Sequence, residues 1–339
     1  TTDGPRAASS VAGVQATAAL AVFESLDTDP RARMAEFKYT RMGPLAEAMF
    51  VEAPVALTPV PDGGPFEREA VLLALPPVPA DARITVADID GDGTLDLFAS
   101  NAASGATPNV VLRRTGTTWT RDERHPLASV RGVRAALWGD LDNDGRLDVV
   151  LVRSNGASAI WRQTGPGTWH DVTTASRATS RGVDAVDGAL VDADHDGDLD
   201  VWLTNARGPN VLLNNNGNGT FRDIAAAAGV AGDGRPSVGV AIADLDADRD
   251  HDIVVLKATP PHEVFLNDRV WQYRPDAAAA AFTAAPHDAV LAADLDANGR
   301  PELYTTSARG LERWTREASG TMRADLLAPV VRDATQQAQ

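Results

Sequence analysis

The chain contains no cysteine. That removes a disulfide framework and any thiolate metal site, and leaves the redox compartment open. No stretch of the sequence approaches the ~20 consecutive apolar residues that a membrane-spanning helix needs. No secretory signal is visible, and the chain opens at Thr1 with no initiator Met, so a signal or an upstream domain is expected to lie outside it. Basic residues are few, 31 against 47 acids, for a formal charge of −16. Nucleic acid and anionic membrane surfaces are therefore excluded as partners of the protein as a whole. Also missing are a nucleophile elbow, a phosphate loop and any Ser/His/Asp set. With 339 residues and 44% apolar content, the chain can bury a large core, as one big all-β domain or as two domains.

What is present is an acidic nine-residue phrase that returns five times. It reads DIDGDGTLD from Asp88, DLDNDGRLD from Asp140 and DADHDGDLD from Asp192, then DLDADRDHD from Asp244 and DLDANGRPE from Asp294. The first positions are 52, 52, 52 and 50 residues apart. A fixed period carrying one local phrase marks a repeat architecture. The five phrases hold 21 of the 47 acids, so much of the negative charge is local. Carboxylates at alternate positions of a tight loop converge on one point, and hard oxygen ligands in that number suit calcium.

Each phrase lies between short runs rich in Val, Ile, Leu and aromatics. ITVAD and AALWGD are examples before it, and DLFAS and DVVLV after it. These runs are too short for buried helices and read as strands. A polar turn, a third run (NVVLRR, NVLLNN), a Gly-rich turn and an aromatic-bearing fourth run (TWHDVT, TFRDIA) complete about fifty residues. Four short strands per repeat predict an all-β fold, a β-propeller whose acidic loops join the first and second strands of each blade. Five blades are clear. Val55–Glu69 has the shape of a further strand-turn-strand hairpin, so a ring of six or seven is expected. Residues 43–330 are assigned to the propeller, 1–42 to a helical segment or linker, and 331–339 to a disordered tail.

The pattern of hydrophobic strand, D-x-D-x-D-G-x-x-D, hydrophobic strand and N-x-G-x-G-x-F resembles the FG-GAP/VCBS repeat family, which includes the integrin alpha-chain propellers and cartilage-acidic-protein-like proteins. The resemblance spans roughly residues 80–325 and is strongest in the third blade. The Phe-Gly and Gly-Ala-Pro elements of the integrin type are absent, so an integrin-like partner is not carried over. The resemblance implies one calcium per loop, held by side chains at positions 1, 3, 5 and 9 and by the carbonyl at position 7. The implied ligands are Asp88, Asp90, Asp92, Thr94 and Asp96; Asp140, Asp142, Asp144, Arg146 and Asp148; and Asp192, Asp194, Asp196, Asp198 and Asp200. The fourth set is Asp244, Asp246, Asp248, Asp250 and Asp252, and the fifth Asp294, Asp296, Asn298, Arg300 and Glu302. Gly at position 6 lets the chain turn back without a Cβ penalty. Arg249 replaces it in the fourth loop, and the fifth loop has fewer charges, which weakens calcium binding. Three to five structural calcium ions are expected. An EF-hand is excluded, because its Glu at position 12 is replaced by Ala99, Leu151 and Leu203 inside strands.

The six histidines are scattered and read as solvated surface residues. Asn218-Gly219-Thr220 matches a glycosylation sequon but reads better as turn chemistry. On the face away from the acidic loops, the turns carry Arg153, Arg207, Lys257 and Arg309, and the blade connections carry Arg131, Arg181 and Arg235. These seven are candidate ligand-binding residues of a cationic ring. The expected function is a non-catalytic extracellular, cell-surface or periplasmic module that binds a protein or glycan, including anionic ones. It acts as a monomer or as part of a larger chain. A calcium-dependent propeller enzyme, a polysaccharide lyase or a phosphatase, is the alternative. The repetition of the acids in every blade argues against it, because catalysis needs one site.

Overall fold

The computed structural model describes residues 83–100, 109–116, 118–154, 156–178, 184–269 and 271–329. Residues 1–42, the Val55–Glu69 hairpin and the tail 331–339 lie outside the described residues. Twenty strands form five sheets, each a four-stranded antiparallel meander in sequence order. The first blade is β1 (Ile84–Ala87), β2 (Asp96–Ala99), β3 (Val110–Thr115) and β4 (Thr118–Arg121). The second comprises β5 (Val133–Gly139), β6 (Asp148–Arg153), β7 (Ala159–Gly165) and β8 (Thr168–Asp171). The third has β9 (Ala185–Val191), β10 (Asp200–Asn205), β11 (Val211–Asn215) and β12 (Phe221–Asp223). The fourth has β13 (Ser237–Ala243), β14 (Asp252–Lys257), β15 (Glu263–Asn267) and β16 (Tyr273–Pro275), and the fifth β17 (Ala289–Ala293), β18 (Glu302–Ser307), β19 (Gly310–Arg316) and β20 (Met322–Pro329). The described residues are thus a propeller of five blades.

The second strand of each blade carries the burial. β10 (DVWLTN) and β14 (DIVVLK) are buried along their whole length. A strand covered on both faces reads as a continuous apolar run, not an alternating one. The first strands are narrow for a steric reason. A Cβ at Gly188 of β9 would sit 2.6 Å from the carbonyl oxygen of Trp202 on β10.

The core is divided among the joints between blades. Val150, Ile160, Val201, Leu213 and Phe221 pack the second blade on the third. Ile89, Phe98, Val149 and Trp169 join the first to the second. Trp202, Ile253 and Phe265 join the third to the fourth, and Val254, Phe282, Leu303 and Trp314 join the fourth to the fifth. The second residue of each acidic loop belongs to this packing: Ile89, Leu141, Ala193 and Leu245 are buried beneath the next blade. Its counterpart in the last blade, Leu295, is 69% exposed.

The fourth strand of the fourth blade starts at Tyr273, in register with Asn267. The Ala-rich link between the fourth and fifth blades forms a short 3-10 turn, Ala277–Ala279, capped by the Asp276 side chain, and then helix α1, Ala280–Ala284. Asp276 is a good cap because its carboxylate satisfies a first-turn amide. No helix among the described residues is long and apolar enough to cross a membrane.

Candidate metal loops

Each loop is closed by its first aspartate. In the first loop Asp88 accepts from the amides of Asp92 at 3.0 Å and Gly93 at 2.9 Å. Asp140 does the same for Asp144 and Gly145, and Asp192 for Asp196 and Gly197. Asp244 holds Asp248 and Arg249, and Asp294 holds Asn298 and Gly299. This coiling needs left-handed backbone at the sixth position. Gly93, Gly145, Gly197 and Gly299 supply φ of 82–87°, and Arg249 is forced to 76°. Position 4 is left-handed too, including Asn143, His195, Ala247 and Ala297.

The ninth residue is the buried floor. Asp96, Asp148, Asp200 and Asp252 are each 0% exposed. One oxygen of each accepts from the second amide of its own loop: Ile89 at 3.1 Å, Leu141 at 3.1 Å, Ala193 at 3.0 Å and Leu245 at 2.7 Å. The other accepts from a third-strand amide: Arg114, Gln163, Asn215 and Asn267 at 2.7–3.0 Å. Desolvation pushes the Asp96 carboxyl up, Asp148 to about 6, Asp200 to about 8 and Asp252 to about 7, against the pull of those amides. A carboxylate buried at this cost is stabilised by a cation beside it.

In all five loops, carboxylate oxygens from three residues lie within 4.8 Å of one another and could hold a metal ion. The groups are Asp88, Asp90 and Asp96; Asp140, Asp142 and Asp148; Asp192, Asp194 and Asp196; Asp244, Asp246 and Asp248; and Asp294, Asp296 and Glu302. One Asp246 oxygen is buried with no hydrogen-bond partner. An all-oxygen donor set, a charge excess and an unpaired buried oxygen fit a hard divalent cation. The fifth-position residues Asp92 and Asp144 and the ninth-position residues Asp200 and Asp252 fall outside their groups. Asp92 is held low by the Thr94 hydroxyl, and Asp144 is paired with Arg146.

Seventh-position side chains serve other contacts, leaving only their carbonyls for the role the resemblance implies. Thr94 donates to Asp92, and Arg146 to the Gln163 carbonyl at 2.8 Å. Asp198 accepts from Asn143 of the preceding loop, and Asp250 lies 2.6 Å from His195 Nε2, also of the preceding loop. At Arg300 the bond is made by the backbone, whose N–H donates to Asn298 Oδ1 at 2.8 Å. Third-position acids are attended by guanidinium groups: Asp90 by Arg113, Asp142 by Arg162 at 2.9 Å and Asp246 by Arg274 at 3.8 Å.

The cationic ring is corrected by the structure. Lys257 is not a surface cation. It is 2% exposed and its ammonium lies 2.8 Å from Glu263 and 3.4 Å from Asp233. Burial raises Asp233, but the Arg235 amide and guanidinium together with Lys257 outweigh that and bring it to about 2. A lysine survives burial only with such partners. Arg235 is tied to Asp233 and to the carbonyls of Thr259 and Pro261, and Arg309 to Glu312 at 3.0 Å. Arg207 is almost fully exposed, 3.7 Å from Asp184. Arg153 donates to the carbonyls of Arg131 and Ala157, and Arg131 is itself exposed. Arg181 lies outside the described residues.

The histidines are corrected as well. His125, His262 and His287 are 4–6% exposed. His125 caps the turn Pro126–Ser129 and stands edge-on to Trp169, while His262 and His287 stack 5.0 Å apart beside Phe282. Burial lowers all three, His262 to about 4.

Sequence reasoning also missed Gln163, Asn215 and Asn267, which are buried and reach across to the preceding blade's loop. Their side-chain amides donate to the carbonyls of Ile89 at 3.0 Å, Leu141 at 2.8 Å and Ala193 at 2.9 Å. Their spacing of 52 residues, on the period of the acidic phrase, was the available signal.

The FG-GAP-like repeat model matches residues 88–151, 140–203 and 192–255. Mouse cartilage acidic protein 1 is 26% identical over 283 residues, covering 73% of this chain and 43% of that protein. The human protein is 25% identical over 283 residues, with 73% and 42% covered. The chain thus spans about two-fifths of the length of these relatives. The fold is similar to that of an Agrocybe aegerita lectin that recognises non-reducing terminal N-acetylglucosamine, with 18% identity and a TM-score of 0.49 over 75% of this chain and 68% of the lectin. It is also similar to the V. cholerae biofilm matrix protein Bap1, with 16% identity and a TM-score of 0.43 over 74% and 40% of the two chains.

Proposed function

We propose, from the chain's membership of the FG-GAP-like repeat family, that it is a calcium-stabilised binding module with no catalysis of its own. The observation that carries this reading is the recurrence of one closed acidic loop, with the same first-residue bonding, in all five described blades. A reaction centre is a single asymmetric constellation, whereas these loops repeat one geometry. Calcium suits them better than magnesium because each loop offers several protein oxygens, whereas magnesium tends to keep much of its water. When bound, it would supply positive charge beside the buried ninth-position carboxylates. The residues that would hold it are the five carboxylate groups named above. Such loops suit the calcium-rich exterior of a cell. The partner is a protein or glycan, met on the face away from the loops, where Arg131, Arg153 and Arg207 remain as surface cations.

A ligand that binds only the folded state stabilises it by mass action. Millimolar calcium should therefore raise the melting temperature of the chelator-stripped protein, and calorimetry should count three to five ions. An unchanged melting curve, with metal removal verified by elemental analysis, would overturn the reading.

A further inference from the structure

The three buried amides do more than join blades. Each of Gln163, Asn215 and Asn267 touches two consecutive loops. Its side chain donates to the second-position carbonyl of the loop before, and its backbone amide donates to the ninth-position aspartate of the loop in its own blade. That aspartate in turn accepts from the second-position amide of its loop, whose carbonyl faces the next blade. The bonds therefore run without a break. From Asp96 they pass through Ile89 to Gln163 and Asp148, through Leu141 to Asn215 and Asp200, and through Ala193 to Asn267, Asp252 and Leu245.

The run stops at the fifth blade. Arg316 occupies the register of Asn267 there, two residues past the partner of the first β18 apolar residue, and it pairs with Asp276 at 2.5 Å. Glu302, at the ninth position, meets Tyr304 and Asn298 instead of second-position and third-strand amides. A rim contact parallels the buried run in the middle loops, from Asn143 to Asp198 and from His195 to Asp250.

We propose that Gln163, Asn215 and Asn267 are positioning residues that couple the first four acidic loops, so that cation binding at one loop orders the next, while the fifth loop acts alone. The inference rests on the calcium reading above. The physical basis is that each second-position residue is pinned on both sides of its Cα, its carbonyl by the next blade and its amide by the floor of its own loop, so the two bonds together fix its φ and ψ. Loosening that carbonyl frees the residue's dihedrals and so loosens the floor aspartate held by its amide. Coupling between sites typically amounts to roughly 5- to 150-fold in affinity.

The test uses the full chain and calcium chloride, read by hydrogen exchange of peptides spanning each loop. In the parent, loops one to four should gain protection over one common calcium range, and loop five over its own. Asn215→Leu removes the donor to Leu141, and with it a bond to the Leu199 carbonyl of its own loop at 3.2 Å, but keeps the backbone amide to Asp200. It should split the midpoint of loops one and two from that of loops three and four by about fivefold or more. Separate midpoints in the parent that Asn215→Leu leaves unchanged would overturn the coupling. Should that variant not fold, Gln163→Met applies the same test between loops one and two. Its split should be smaller, because the Trp169 indole also donates to the Ile89 carbonyl, at 3.1 Å. A second arm in chelator separates coupling from calcium. There Asn267→Leu, which removes the donor to the Ala193 carbonyl and keeps the backbone amide to Asp252, should speed exchange in both loop three and loop four, and faster exchange in loop three alone would overturn the coupling. Absence of any calcium response would overturn the calcium reading and leave this chelator arm to decide the coupling.

Discussion

At the scale of single residues, the fourth loop shows how a local rule can be broken where its neighbours hold the backbone. Arg249 occupies the left-handed position that Gly fills in the other four loops, and it is exposed, so its side chain gains no packing in return. Left-handed backbone costs a non-glycine residue roughly 1–2 kcal/mol, and a new glycine gives back part of that through the entropy of the unfolded chain. Arg249→Gly should therefore stabilise by roughly 0.5 kcal/mol and tighten calcium binding at that loop. Denaturant melts and a calcium titration of the variant check both, and a lower melting point would show that Arg249 has a role beyond the turn. The ninth-position acids give a second residue-scale expectation. Burial raises Asp252 to about 7 and Asp200 to about 8, so the folded state keeps protons that the unfolded chain loses near pH 4. That stability disappears as pH rises through the folded values. Metal-free protein should thus melt lower at pH 9 than at pH 7, a window above the ordinary histidine range. Saturating calcium should weaken the trend, because positive charge in the loop above favours the ionised form of these floor carboxylates.

At the scale of elements, the link between the fourth and fifth blades is the distinctive piece. His262 accepts from the Lys257 amide through Nδ1 at 3.0 Å and its own amide donates to the Thr283 carbonyl at 2.7 Å, while His287 Nε2 meets the Phe282 carbonyl at 3.1 Å. The two histidines tie helix α1 to the end of β14, with Phe282 and Trp314 packed against His287. Burial depresses both; His287 and Arg235 add to this at His262, while Glu312 and Asp288 partly oppose it at His287. A histidine with a lowered folded value gives stability above its unfolded pKa and loses it as pH falls toward the folded one. The joint should therefore loosen between pH 6.5 and about 4. Because the chain has no cysteine, a single Ala284→Cys label reports on this link alone. A mobility that stays flat down to pH 4 would reject the idea.

At the scale of the whole molecule, charge is arranged by face. The carboxylates lie in the loops between first and second strands, and the exposed Arg131 and Arg207 with the half-buried Arg153 lie at the opposite strand ends. If these arginines meet the partner, an acidic protein should still be retained on an acidic polysaccharide column in calcium, and less so as salt screens the contact. Changing Arg153 and Arg207 together to Ser should reduce retention, and retention equal to the parent's would remove this face from consideration. Lys257 and Arg235 are poor targets for the same test, since Lys257 is buried on the half-buried Glu263 and Arg235 is already engaged by Asp233.

The blade count of the described region, the four-strand order, the acidic loops and the glycine turns were legible in the amino-acid sequence. Each follows from local chemistry repeated at a fixed period: alternate carboxylates need a coil, coils need left-handed residues, and short β-branched runs need sheet partners. Long-range placement was not legible. Whether Lys257 or His262 meets water depends on which blade packs over it, and charge alone says only that a lone ion prefers the surface. The roles of Gln163, Asn215 and Asn267 were hidden in the same way. An amide reads as a polar strand residue until the neighbouring blade, some 74 residues away in sequence, brings a second-position carbonyl within hydrogen-bonding distance. Bonds made within a loop are written in its spacing, whereas bonds made between blades exist only once the sheets have packed and excluded the water that would otherwise satisfy them.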